Sequence, residues 1–90
     1  MLKRVVIMST EHTLKCWPDY FRAIRRKEKS FEVRRDDRGF QKGDTLVIRE
    51  FDPKRGLLGS FTGNDEHRKI KYILTGGQFG IEPGYVVLGF

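Results

Sequence analysis

The 90-residue sequence has little of what disulfide, metal and membrane sites require. Its one cysteine, Cys16, cannot form an internal disulfide, which predicts a reducing, cytoplasmic setting. Two histidines and this cysteine are scattered, so we predict neither a metal site nor a cofactor. The apolar run at residues 5–8 is far shorter than the roughly 18 residues of a spanning helix. It is also shorter than a signal-peptide core of about 7–15 residues, so we expect no membrane association.

Positive charge is what the chain has in excess. Lysine and arginine number 18 against 12 acidic residues, a net charge of +6. Most of the excess lies at residues 22–42, which contain nine basic and four acidic residues. Such a region suits a polyanion such as RNA, DNA or a nucleotide phosphate. A solvated surface with ordinary ion pairs is the alternative explanation.

The residue pattern predicts a single small α+β domain over residues 1–90. Pro18 fits the first position of a helix that runs to about Lys27, with Trp17, Tyr20, Phe21 and Ile24 on its apolar side. Alternation and turn residues predict strands at 4–8, 14–16, 30–35, 45–51, 57–62, 68–74 and 85–90. With the segment at 4–8 set aside as an added edge strand, five or six short strands and one main helix near the N-terminus indicate a small, partly open β-barrel.

The strand at residues 30–35 carries the candidate site. Alternation predicts Phe31 and Val33 in the core, with Glu32 and Arg34 together on the other face beside Lys29. A lysine, a carboxylate and an arginine in one place can hold a phosphate or a base edge. An ion pair without a ligand explains the same residues.

Other residues of the basic region extend this prediction. We expect phosphate contacts from Arg25, Arg26, Arg35 and Arg38, which position a nucleic acid without reading its sequence. Phe40 lies in a polar turn segment and is predicted to be an exposed aromatic that contacts the ligand. Trp17 and Phe21 have helical spacing, at which aromatic residues usually belong to the core. Tyr20 lies nearer the edge of this apolar stripe, so it is favoured over them to stack on a base. Cys16 with a histidine lacks an orienting motif, so we interpret it as an idle, buried cysteine.

Residues 12–90 resemble the ASCH domain, a branch of the PUA-like superfamily. The signature of that family is Gly-x-Lys-x-x-Glu-x-Arg after the first helix. Lys29, Glu32 and Arg34 match it, whereas Lys27 replaces the glycine. Further matches are Trp17-Pro18 with Phe21, residues 35–38, Phe40 with Gly43-Asp44, and residues 84–89. Together they are similar to a short, ASCH-related group of bacterial and phage proteins of unassigned function. Residues 1–11 lie outside the resemblance and are predicted to add an edge strand.

The resemblance implies a PUA-like β-barrel with an RNA-binding cleft lined by the signature residues. Some ASCH relatives are amidohydrolases that act on a modified cytidine and use the signature lysine in catalysis. Those enzymes have threonine where this chain has Glu32, so the resemblance favours binding over catalysis. Three functions remain open: an RNA- or nucleotide-binding module, a small amidohydrolase using Lys29 and Glu32, and a phage interaction module for an acidic host protein.

Overall fold

Residues 9–90, which the computed structural model describes, form one short helix and six strands. The predicted strand at residues 4–8 lies outside the described residues. In chain order the elements are β1 (Glu11–Cys16), α1 (Pro18–Arg25), β2 (Phe31–Arg35), β3 (Thr45–Asp52), β4 (Ser60–Lys69), β5 (Tyr72–Thr75) and β6 (Tyr85–Gly89).

The strands are divided between two three-stranded sheets. In the first sheet the order is β1-β3-β4, with β1 parallel to β3 and β4 antiparallel to it. In the second the order is β2-β6-β5, and both pairs are antiparallel. The predicted strand at residues 68–74 is therefore two strands. They separate at Ile70, whose N–H donates to the carbonyl of Asp44 while its own carbonyl accepts from Gly43.

The barrel prediction is wrong, because these two open sheets are not joined by a strand ladder in the described chain. Among the described strands β1 lies at the edge of its sheet, and closing a barrel would need another strand to pair with its outer carbonyls. Side chains occupy them instead. The guanidinium of Arg34 donates to the carbonyl of Lys15, and that of Arg38 donates to the carbonyl of Thr13.

The core lies between the two sheets and beneath α1. It contains Leu14, Cys16, Phe21, Ile24, Phe40, Leu46, Ile48, Ile70, Val86 and Leu88. The helix begins at Pro18, as predicted, with Asp19 in its first turn. It contributes only Phe21 and Ile24 to the core, since eight residues give one short buried stripe. The expectation that Trp17 is a core residue is wrong, because it is 58% exposed, and Tyr20 at the edge of the apolar stripe is 55% exposed.

Candidate functional site

The register between β2 and β6 turns the polar side chains of β2 inward. Glu32 lies opposite Leu88, and Arg34 lies opposite Val86. Directly opposed residues share a face of a sheet, and Leu88 and Val86 are core residues. Glu32 is therefore only 6% exposed, whereas Phe31 and Val33 are 44% and 48% exposed. The prediction that Phe31 and Val33 face the core is wrong.

Lys29, Glu32 and Arg34 nevertheless lie together, as the sequence predicted, and we call them the signature cluster. One carboxylate oxygen of Glu32 binds the ammonium of Lys29. The other accepts from Nε and Nη2 of Arg34 at 3.3 and 3.1 Å. The side chains of Lys29 and Arg34 are 19% and 26% exposed. Two cations thus share one buried carboxylate, and the cluster has a surplus positive charge that solvent can reach.

An open depression of about 330 Å³ gives access to this cluster, and we call it the aromatic depression. Its lining consists of the signature cluster with Tyr20, Phe31 and Val33. The ammonium of Lys29 lies 5.5 Å from the ring centre of Tyr20 and 5.0 Å from that of Phe31. Both rings are about half exposed. Two partly exposed aromatic rings therefore flank a buried, charged group.

Cys16 is a core residue close enough to the signature cluster to sense its charges. Burial, followed by the charge of Glu32, raises the pKa of the Cys16 thiol to about 11, although Lys29 and Arg34 act in the opposite direction. The thiol is therefore protonated at neutral pH, as expected for an idle cysteine. Glu50 is opposite Cys16 in the β1–β3 pair and accepts hydrogen bonds from Thr62 and Asn64.

Glu50 was not predicted as a buried carboxylate, although alternation along β3 places it on the same face as the buried Leu46 and Ile48. Burial raises the pKa of its carboxyl. The hydrogen bonds from Thr62 and Asn64 and the charges of Arg22 and Arg25 outweigh that effect and leave the pKa below its ordinary value. Glu50 is therefore an ionised carboxylate inside the fold. Among residues 9–90, no three histidine, cysteine or acidic side chains are grouped as a metal site would need.

The remaining basic residues are divided between two places. On the helix side, Nε of Arg25 donates to Glu66 at 3.1 Å, and Arg26 pairs with Glu28. At the end of β2, Arg35 and Arg38 line a small polar depression together with Arg34. Arg25 and Arg26 are therefore already paired, as the alternative explanation expected for the basic region. Arg35 and Arg38 share that depression with Arg34 of the signature cluster, and Arg38 also donates to the carbonyl of Thr13.

Phe40 is buried, so the prediction that it is an exposed aromatic is wrong. Its ring packs edge-on against His12, with 4.7 Å between ring centres. His12 in turn forms a buried pair with Asp44, with Nε2 and Oδ2 2.8 Å apart. The prediction of exposure rested on the polar residues next to Phe40 in sequence, which give no information about this packing. The buried ring is not available to stack on a base.

Comparison with known families adds one result. The family described as a domain of unknown function, DUF3850, matches residues 11–90 of the chain. The chain belongs to this family. No curated protein matches it. Within residues 9–90 of this DUF3850 chain, α1 is too short and too polar to cross a membrane.

Proposed function

We propose that this DUF3850 domain binds single-stranded RNA or a nucleotide in the aromatic depression. The observation that carries the proposal is the arrangement of two half-exposed rings, Tyr20 and Phe31, around the signature cluster. Exposed aromatic rings beside cations are the combination by which proteins hold single-stranded nucleic acid. Paired charges alone would explain the cluster, but they would not explain why the rings beside it stay in water.

Each part of the depression has a role in this proposal. Tyr20 or Phe31 stacks on a base, which does not require a particular base. Lys29 and Arg34 donate to a phosphate or to base carbonyls, because together they hold one more positive charge than Glu32 neutralises. Glu32 orients both cations and accepts from a base amino group with its remaining lone pairs.

The chain's resemblance to ASCH domains supports the same site. Lys29, Glu32 and Arg34 are the signature residues of that resemblance, and the cleft that they line in those domains is proposed to bind RNA. The net charge of +6 supports it as well, since a polyanion is attracted to the whole chain.

Binding of a labelled, short single-stranded RNA, followed by fluorescence anisotropy, tests the proposal. Replacing Tyr20 by alanine is expected to weaken binding by about 5- to 150-fold, because stacking of one base contributes about 1–3 kcal/mol. Phe79→Ala is the matched control, since Phe79 is 83% exposed and lies outside the aromatic depression. We expect it to bind as the wild type does.

Two results would contradict the proposal. Equal loss of affinity in Tyr20→Ala and Phe79→Ala would show that binding does not use the aromatic depression. Absence of RNA and nucleotide binding up to about millimolar concentration, together with binding of an acidic protein, would favour the interaction-module alternative.

A further inference from the structure

A second depression, of about 430 Å³, lies on the other side of Lys29 and is lined by cations. Lys27, Lys29, Arg68 and Lys71 surround it, together with Ile24, Ser30 and Phe90, and none of these described lining residues has a carboxylate side chain. We call it the lysine depression. Lys29 lines both this depression and the aromatic depression, so the two are neighbours.

The four cations differ in how far they are already neutralised. Lys29 binds Glu32, and Arg68 pairs with Glu66 at 3.0 Å while it also donates to the carbonyl of Ile24. Within the described chain, Lys27 and Lys71 have no carboxylate within ion-pair distance. Both are exposed. The lysine depression therefore has two free ammonium groups beside two cations that are fixed in place.

Lys27 has a backbone conformation that is unusual for a residue with a side chain. The N–H of Lys27 donates to the carbonyl of Ile24, and that of Glu28 donates to Ala23, which is the Schellman end of a helix. In this motif Lys27 takes the left-handed position, with φ of 63°, where glycine is the usual residue. The ASCH signature has glycine at this position too. The chain therefore has a lysine where glycine would fit the backbone with less strain.

We propose that the lysine depression is a phosphate-binding subsite and that Lys27 and Lys71 are its free ligands. The proposal rests on the proposed function, because a base in the aromatic depression would place an attached phosphate on the far side of Lys29. The phosphate is either the terminal group of a mononucleotide or an internal phosphate of an RNA strand. In both cases Lys27 and Lys71 donate charge-assisted hydrogen bonds to its oxygens.

Calorimetric titration of the full chain with nucleosides and with the matching nucleoside 5′-monophosphates tests this subsite. We expect the monophosphates to bind about tenfold tighter than the nucleosides, because charge-assisted hydrogen bonds are about twice as strong as neutral ones. Lys71→Met is expected to remove most of that advantage and to leave nucleoside affinity unchanged. Lys69→Met is the matched control, as an exposed lysine of β4 that does not line the lysine depression.

Lys27→Gly gives a second test in which stability and binding change in opposite directions. Glycine takes a positive φ without the Cβ penalty, so we expect the thermal unfolding midpoint to rise. The gain in affinity of a monophosphate over its nucleoside is expected to be smaller in the same variant. A lysine with only a structural role in the turn would give the higher midpoint with no change in binding, and that result would overturn the proposal.

The remaining outcomes separate this subsite from the proposed function. If nucleosides bind and their phosphates add no affinity, the subsite is wrong while the proposed function stands. If inorganic phosphate binds in a manner that depends on Lys27 and Lys71 while nucleosides do not bind, the subsite stands without the base site. A dinucleoside monophosphate, whose only phosphate is internal, shows the same dependence on Lys71 if the subsite takes the RNA backbone. If no phosphate-containing probe binds, the subsite is wrong.

Discussion

Glu32 on β2 lies directly opposite Leu88 on β6, so a carboxylate and a fully buried leucine share one face of the second sheet. A buried carboxylate is stable only when it is paired and hydrogen-bonded. Lys29 and Arg34 provide those partners from a turn and from the same strand. The signature cluster is thus part of the fold as well as the candidate ligand site.

Replacing Glu32 by glutamine is expected to destabilise the chain. The amide keeps the shape but leaves Lys29 and Arg34 without their shared negative charge. We expect a loss of about 3 kcal/mol, the lower end of the cost of removing one partner from a buried pair, because both cations still reach solvent. Urea unfolding followed by circular dichroism measures this loss. Glu82→Gln is the control, since Glu82 is exposed and outside the ion pairs described above. Equal midpoints for wild type and Glu32→Gln would contradict the structural role.

The salt dependence of RNA binding tests whether the β2 arginines contact phosphates. Each phosphate contact on a single strand adds about 0.7 to the slope of log affinity against log salt concentration. Arg35→Ala is expected to reduce the slope by about that amount and to weaken binding similarly for all sequences. Arg49→Ala is the comparison, because Arg49 pairs with Asp65 on the other sheet. An unchanged slope in Arg35→Ala would remove Arg35 from the interface.

Some of the fold and site could be read from local sequence. The start of α1 follows from Pro18, and the grouping of Glu32 with Arg34 follows from their spacing of two in a strand. Which face of β2 is buried did not follow. Alternation divides the side chains between two faces, and the apolar Phe31 and Val33 favoured the wrong face as the buried one. Only the pairing with Leu88 and Val86, more than fifty residues away, decides between the two.

Long-range partners explain the other differences as well. The sequence near Arg25 does not reveal its ion-pair partner, because that partner, Glu66, lies 41 residues later. Phe40 has polar neighbours in sequence, yet His12 brings its ring into a buried contact. The barrel prediction was wrong because strand propensity does not determine which strand edges pair, and in this fold Arg34 and Arg38 donate to carbonyls at the edge of β1.

The His12–Asp44 pair predicts a loss of stability in acid. Burial raises the pKa of Asp44, but hydrogen bonds from His12, Thr10 and Gln41 outweigh it and leave the pKa below its ordinary value. A carboxyl whose pKa is lowered by folding stabilises the fold above its unfolded pKa of about 3.9. That stabilisation is lost as the pH falls through the folded value.

Asp44→Asn isolates this contribution. At pH 7 the variant is expected to be less stable than the wild type by about 1–3 kcal/mol, because a hydrogen-bonded charge is lost from a buried site. The difference is expected to shrink as the pH is lowered below about 4. Asp37→Asn is the control, because the Asp37 side chain is 61% exposed. A difference that is constant with pH would show that the charge of Asp44 does not contribute.

Two glycines allow steric and conformational costs to be measured separately. A Cβ on Gly76 would lie 2.0 Å from the carbonyl oxygen of Glu82 and 2.5 Å from that of Tyr85. We expect Gly76→Ala to cost about 3 kcal/mol, the upper end for overpacking. Gly39 has a φ of +62° with nothing near its Cβ position, so Gly39→Ala is expected to cost only about 1–2 kcal/mol. Chemical denaturation gives both values. Equal costs would show that the carbonyl oxygens of Glu82 and Tyr85 do not lie this close to Gly76.

Lys29→Arg distinguishes a binding module from an amidohydrolase. The ammonium of Lys29 is bound to the carboxylate of Glu32, and an ammonium has no lone pair with which to accept a proton. Arginine keeps the positive charge and the donors, so we expect the variant to retain part of the RNA affinity. Lys29→Met, which removes the charge, is expected to bind more weakly than Lys29→Arg. We also expect the wild type not to release acetate from an acetylated cytidine in a chromatographic assay. Acetate release that is abolished in Lys29→Arg would contradict the binding assignment and make Lys29 a catalytic residue.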